Sequence, residues 1–164
     1  MTTRISASVD TEAGTVLAAT AAGRTLAIAG DPPEGDGSAP GPKEALLASL
    51  AACTALDVTS ILRKKRQGAT SYEVVVTGES AAEPPRVFTS ILVEHRVSGT
   101  VAPEPLRRSI ELSATRYCPV NAMLSAVARI EHRYLLLDAS GGVYEATVAV
   151  VGPDREVRVM EPRA

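Results

Sequence analysis

The chain has 164 residues, 45% of them apolar, with 17 basic and 19 acidic side chains and a formal charge of −2. That length suits one globular domain with a buried core, and an ordinary apolar fraction with only two cysteines excludes a disordered chain and a disulfide-dense scaffold. A charge so near zero supplies no broad field to hold nucleic acid or an anionic membrane, so neither is expected as a partner.

The opening residues carry no apolar signal segment, and no later run reaches the roughly 18 uninterrupted apolar residues of a membrane span, so a cytoplasmic protein with reduced thiols is expected. Residues 1–30 read as short strands turning at Gly14 and Gly23, and 31–41, rich in proline and glycine, as a loop. A central helix follows over 42–67. Pro42 suits its first turn, the basic run Arg63 to Arg66 complements its negative end, and Gly68 is placed to supply a left-handed residue beyond it. Between Ala45 and Ala55 nearly every side chain is small or apolar, so this helix is expected to be buried on almost every side.

Strands are expected at 72–78 and 86–98, pairing as an antiparallel meander across Glu83 to Pro85 within 70–99. Helices should occupy 103–130, the first with Leu106, Ile110 and Ser113 on one face, the second starting near Cys118 with Val120, Leu124 and Val127 in step. Two strands within 133–151 end the regular pattern, and the tail from Pro153 shows none. The expected fold is a single α+β domain, 1–164, with antiparallel sheet segments packed on a long buried central helix. One small monomer face cannot cover such a helix on all sides, so a homodimer sharing two of them is expected.

His95 and His132 have no cysteine or histidine at ligand spacing, so no metal site is expected, and no cofactor motif is present: Walker A loop, dinucleotide fingerprint and nucleophile elbow are all missing. The two cysteines remain. By base rate Cys53, mid-helix in Ala-Ala-Cys-Thr-Ala, is a small buried hydrophobe. Cys118 precedes Pro119, which makes it a helix N-cap, and the helix terminus together with Arg116 makes it the more acidic thiol on local electrostatics. Asp57 lies one turn after Cys53 and opposes a thiolate there unless turned away, paired or protonated.

The stretch from Gly41 through Cys53 to Arg66, and the stretch Arg116-Tyr117-Cys118-Pro119-Val120-Asn121-Ala122-Met123-Leu124, resemble in order the two cysteine motifs of the osmotically inducible protein C and organic hydroperoxide resistance superfamily (OsmC/Ohr). The likeness runs from about Ile5 to Leu137 and is nearer to an OsmC-like branch than to the hydroperoxide resistance proteins proper. It implies an intertwined α+β homodimer that reduces organic hydroperoxides and is recycled by a dithiol reductant. Carried over, Cys53 is the peroxidatic thiol and Cys118 the resolving thiol, joined in an intramolecular disulfide after oxidation.

The same resemblance implies an activating Arg from an N-terminal turn, held by a Glu directly after the helix-opening proline. Here Lys43 occupies that slot and Glu44 follows it. On a regular helix Glu44 falls roughly 180° round from Cys53. Arg24 is the nearest candidate for the cation. Tyr117 and Phe88 are candidates for an apolar pocket lining or for core packing. The alternatives to a peroxidase are a noncatalytic redox-responsive or small-molecule-binding module on the same scaffold, and, third, an acyl-binding or thioester enzyme, for which no general base is placed.

Overall fold

Three short alternating stretches form an antiparallel meander, β1 (Ile5–Asp10), β2 (Thr15–Thr20) and β3 (Thr25–Ile28), in that spatial order. Gly14 and Gly23 take φ of 67° and 75° at its turns, where a side chain would be strained. The structure, a computed structural model, describes residues 2–30, 32–33, 35–153 and 157–160. The chain forms two compact units, Met1–Ala48 and Ser49–Ala164, and the meander belongs to the first. Part of the expected 31–41 loop and the end of the tail lie outside the described residues.

The central helix, α1 (Pro42–Lys64), starts as its sequence dictates: Pro42 takes the first helical position and Glu44 reaches back to accept the Gly41 N–H at 2.8 Å, half of a capping box. Its other end differs from expectation. Arg66, with φ 56°, supplies the left-handed residue, while Gly68 opens the next strand. The N–H groups of Arg66 and Gln67 donate to the carbonyls of Arg63 and Leu62, both at 3.0 Å, which closes the helix as a Schellman motif three residues before the expected boundary.

Within one chain, α1 is covered along a single stripe. Only Leu50, Thr54, Val58 and Leu62, one stripe at every fourth residue, are buried, and Leu56 is 72% exposed. By length and composition α1 could cross a bilayer, but this stripe is committed to the fold. Val58 and Leu62 pack into a core with Val97, Leu106, Ile110 and Leu136.

The second unit is built on a five-stranded sheet of β4 (Gly68–Ser80), β5 (Phe88–Thr100), β6 (Arg129–Asp138), β7 (Val143–Val151) and β8 (Val157–Val159), in that order. β4 and β5 form the expected antiparallel pair, but β5 and β6 run parallel, so the sheet is mixed rather than wholly antiparallel. The chain between them is long enough for a crossover: α2 (Pro103–Leu112), a π-helical turn (Ser113–Tyr117) and α3 (Pro119–Leu124). β8 falls in the tail, which carries no strand pattern in its sequence.

Gly99 deserves its position on steric grounds. It sits at φ 126° beside an irregularity of the β4–β5 ladder, and a Cβ there would lie 2.4 Å from the Gly68 carbonyl oxygen and 2.6 Å from the Thr70 nitrogen. Gly99→Ala is therefore expected to lower unfolding free energy by about 2 kcal/mol or more in urea titrations; an unchanged midpoint would refute the crowding.

Candidate active site

The segment that presents Cys118 is shaped by Pro119. A following proline disfavours helical backbone at Cys118, which takes φ −73° and ψ 106° and caps α3, its sulfur accepting the Asn121 N–H at 3.3 Å. Upstream, the Cys118 N–H reaches five residues back to the Ser113 carbonyl at 3.0 Å, forming the π turn. The corresponding partner for the next carbonyl, Ala114, would be Pro119, which has no N–H. The Asn121 amide supplies the missing donor, Nδ2 to Ala114 O at 2.7 Å.

This turn lays Cys118 on α1. The Cys118 thiol donates to the Cys53 sulfur across 2.7 Å, with the Thr54 hydroxyl donating to Cys118 at 4.0 Å, and both cysteines are free thiols. Cys118 is 3% exposed, whereas Cys53 is only partly buried. The two sulfurs predicted to act together are thus brought together across 65 residues of chain.

The acidity expected of Cys118 is not found. Burial first, then its hydrogen bond to Cys53, push its thiol up to about 11, outweighing the Asn121 N–H at the helix terminus. The Arg116 guanidinium stands over the Tyr117 ring, 5.8 Å from its centre. Cys118 therefore keeps its proton and donates it toward the more accessible sulfur.

Asn121 is held from behind by a buried chain that the sequence did not reveal. His132 Nε2 lies 3.0 Å from Asn121 Oδ1, His95 Nε2 lies 3.3 Å from His132 Nδ1, and the Tyr72 hydroxyl lies 2.7 Å from His95 Nδ1. Since Asn121 Nδ2 already donates, its Oδ1 must accept, and every proton along the chain follows. His132 donates through Nε2 and accepts at Nδ1, His95 does the same, and Tyr72 donates. Both imidazoles are neutral: burial pushes His132 down to about 4 and, with His132 beside it, holds His95 well below its ordinary value. Burial, with a smaller effect of Asp57, raises the Tyr72 phenol, which keeps it a donor. The histidines come from neighbouring strands β5 and β6, whose parallel pairing sets Val93 opposite His132 and His95 opposite Tyr134.

Asp57 stays near the thiols. Its Oδ2 accepts the Ser113 hydroxyl at 3.0 Å, and its carboxylate and the two sulfurs lie within 4.8 Å of one another. Of the sequence's other candidates, Glu44 caps α1, and Arg24 lies exposed in the β2–β3 turn of the first unit, where its carbonyl accepts the Thr20 N–H and its own N–H donates to Thr20 Oγ1. Phe88 is buried in β5 and Tyr117 is half exposed. A hollow of about 760 Å³ in the second unit, between the start of α2 and strands β6 and β7, is lined by none of the cysteine-site residues.

Residues 35–133, which span both cysteines and the whole histidine chain, match the family described as OsmC-like protein. The chain belongs to the OsmC-like family. Protein YhfA of Escherichia coli K12 is 37% identical over 126 residues, 76% of this chain and 92% of that protein. A hypothetical protein from Aquifex aeolicus VF5 shares the fold at a TM-score of 0.74 and 25% identity, covering 84% of this chain and 98% of that one. A Legionella pneumophila structure described as an organic hydroperoxide resistance protein OsmC, predicted redox protein, superposes at a TM-score of 0.61 with 16% identity, over 80% and 95% of the two chains. That last likeness is one of fold.

Proposed function

We propose that this OsmC-like protein is a thiol peroxidase for organic hydroperoxides, with Cys53 the attacking sulfur and Cys118 the resolving one. The observation that carries the proposal is the Cys118 thiol donating to the partly exposed Cys53 sulfur across 2.7 Å. A disulfide bond needs about 2.05 Å, so capture of oxidised Cys53 requires only a sub-ångström approach.

The cycle balances as follows. The Cys53 thiolate attacks the terminal oxygen of a hydroperoxide, the O–O bond breaks, and with one proton the alcohol leaves and Cys53 becomes a sulfenic acid. Cys118 then displaces water from that sulfenic acid as the disulfide forms, and an external dithiol, itself becoming a disulfide, restores both thiols. Substrate preference for organic over hydrogen peroxide rests on the apolar side chains of α1 around Cys53. A homodimer and a cytoplasmic setting complete the proposal. The uncovered apolar side chain Leu56, three residues beyond Cys53 and 72% exposed, supports the dimer because a second copy would bury it.

A second reading keeps the thiols but not the turnover: a redox-responsive or small-molecule-binding module. It is favoured by the Asp57 carboxylate beside the sulfurs, which opposes a thiolate. Arg24 and Glu44 enter only the first reading, as the proposed cation and its holder.

One experiment separates them. Metal-free reduced protein given one equivalent of an organic hydroperoxide should lose two hydrogens in mass within seconds to minutes. Cys118→Ser should accumulate oxygen adducts, and Cys53→Ser should do neither. Two free thiols remaining in the wild type after peroxide would reject the peroxidase.

A further inference from the structure

We propose that Cys53, Cys118 and Asp57 form a binding site for a thiophilic divalent cation of the zinc class, held by two sulfurs and one carboxylate oxygen with a fourth position open toward solvent on the Cys53 side.

Three potential ligand atoms already lie within 4.8 Å of one another. Zinc bonds sulfur at about 2.3 Å and carboxylate oxygen at about 2.0–2.2 Å, so tetrahedral ligands stand roughly 3.5–3.8 Å apart. The carboxylate oxygen and the sulfurs, all within 4.8 Å of one another, need shift by no more than about an ångström to reach that spacing. The sulfur pair, 2.7 Å apart, must open by about an ångström. Two of the ligands are one helical turn apart on α1, the spacing by which a single helix presents two groups to one ion. The third is brought by the π turn, whose Ser113 also donates to Asp57 and so fixes the carboxylate, while the Asn121 N–H orients the Cys118 sulfur.

Charge and softness point to the same class of ion. Two thiolates and a carboxylate would hold three negative charges, and among the described residues no ion pair includes Asp57. Two sulfurs favour a borderline-soft ion over calcium or magnesium, and the carboxylate favours a divalent ion over a monovalent copper ion. Binding exchanges the thiol protons for the metal, with no change of oxidation state. His95 and His132 are not alternative ligands, since they are fully buried and their facing nitrogens are bonded to each other. The proposal uses the sulfurs of the peroxidase reading without depending on its chemistry, although a bound ion would occupy the electron pairs that attack peroxide and spread the sulfurs that must join.

The test is uptake of zinc and of cobalt(II) by chelator-stripped, reduced protein. Native mass spectrometry should find one zinc per chain, and cobalt should give a thiolate-to-metal charge-transfer band with the intense visible bands of tetrahedral geometry. Asp57→Asn, which keeps the side-chain shape and a carbonyl for Ser113, should weaken zinc affinity about tenfold or more with circular dichroism unchanged. Cys53→Ser and Cys118→Ser should each lose most of the charge-transfer intensity, and the disulfide form made with diamide should take up no metal. No zinc bound at micromolar free ion, full affinity in Asp57→Asn, or equal uptake by the oxidised protein would each overturn the site. Uptake is read without peroxide and disulfide formation with chelator present, so failure of either proposal leaves the other to stand on its own result.

Discussion

Asn121→Ala is expected to cost the fold about 4 kcal/mol, because truncation strands two buried partners at once, each worth about 1–3 kcal/mol when left unsatisfied. The Ala114 carbonyl would lose the Asn121 amide donor in a turn where Pro119 can offer none, and the His132 N–H would face an empty space where Asn121 Oδ1 had been. Asn121 has no measurable exposure, so water cannot replace what is removed without opening the segment. The measurement is the urea midpoint, at constant slope, of Asn121→Ala against wild type. A loss below about 1 kcal/mol would show that the amide does not hold the π turn to α3. Asn121→Asp provides a contrast: it keeps the acceptor for His132 but opposes the Ala114 carbonyl, and should draw a proton onto the imidazole pair.

Acid should destabilise the protein well above the range where carboxylates titrate. His132 has its folded value depressed to about 4 from an ordinary 6.5, so the unfolded chain binds a proton that the folded one refuses. Stability is complete above about pH 6.5 and is lost progressively as pH falls toward 4, by about 2 kcal/mol at pH 5 and about 3 kcal/mol at pH 4 from this residue. His95 is depressed for the same reason, burial, and adds to the loss in the same direction. The groups facing the pair are Tyr72, which remains a donor throughout, Asn121, which does not titrate, and more remotely Asp57. A second proton on His132 would set its Nδ1–H against the His95 Nε2–H, and one on His95 would face the Tyr72 hydroxyl donor, so the Tyr72–His95–His132–Asn121 hydrogen bonds must break or reverse as the charge appears. Urea unfolding at pH 7.5, 6 and 5 should give a falling free energy. A flat profile across that interval would mean the histidines are not buried neutral.

Much of the local structure was legible because its causes are local. Proline at the first turn marked the starts of the helices, strand-forming runs between turn residues marked β4 to β7, and Pro119 marked Cys118 as a cap. Errors arose where a signal was read as local but answered to distant groups. Gly68 looked like the end of α1, yet Arg66 made the left-handed turn, since the carbonyls of Leu62 and Arg63 needed donors at that point. Cys118 looked acidic from its helix terminus and from Arg116, but its acidity is governed by burial against Cys53, sixty-five residues away. The parallel β5–β6 pairing and the single buried stripe of α1 left no mark in composition, because both strand directions share one alternation and an apolar helix has no periodicity to show which face is covered.

From sequence alone came the elements, the two thiols and their order along the chain, all consequences of steric preference and capping acting over a few residues. Tertiary structure decided that the two sulfurs meet, that Asp57 completes a trio with them, and that His95 and His132, set aside as metal ligands, hold Asn121 in place. The reason is physical: proton position and metal affinity depend on separations of a few ångströms and on exclusion of water, and neither quantity exists until remote segments have packed.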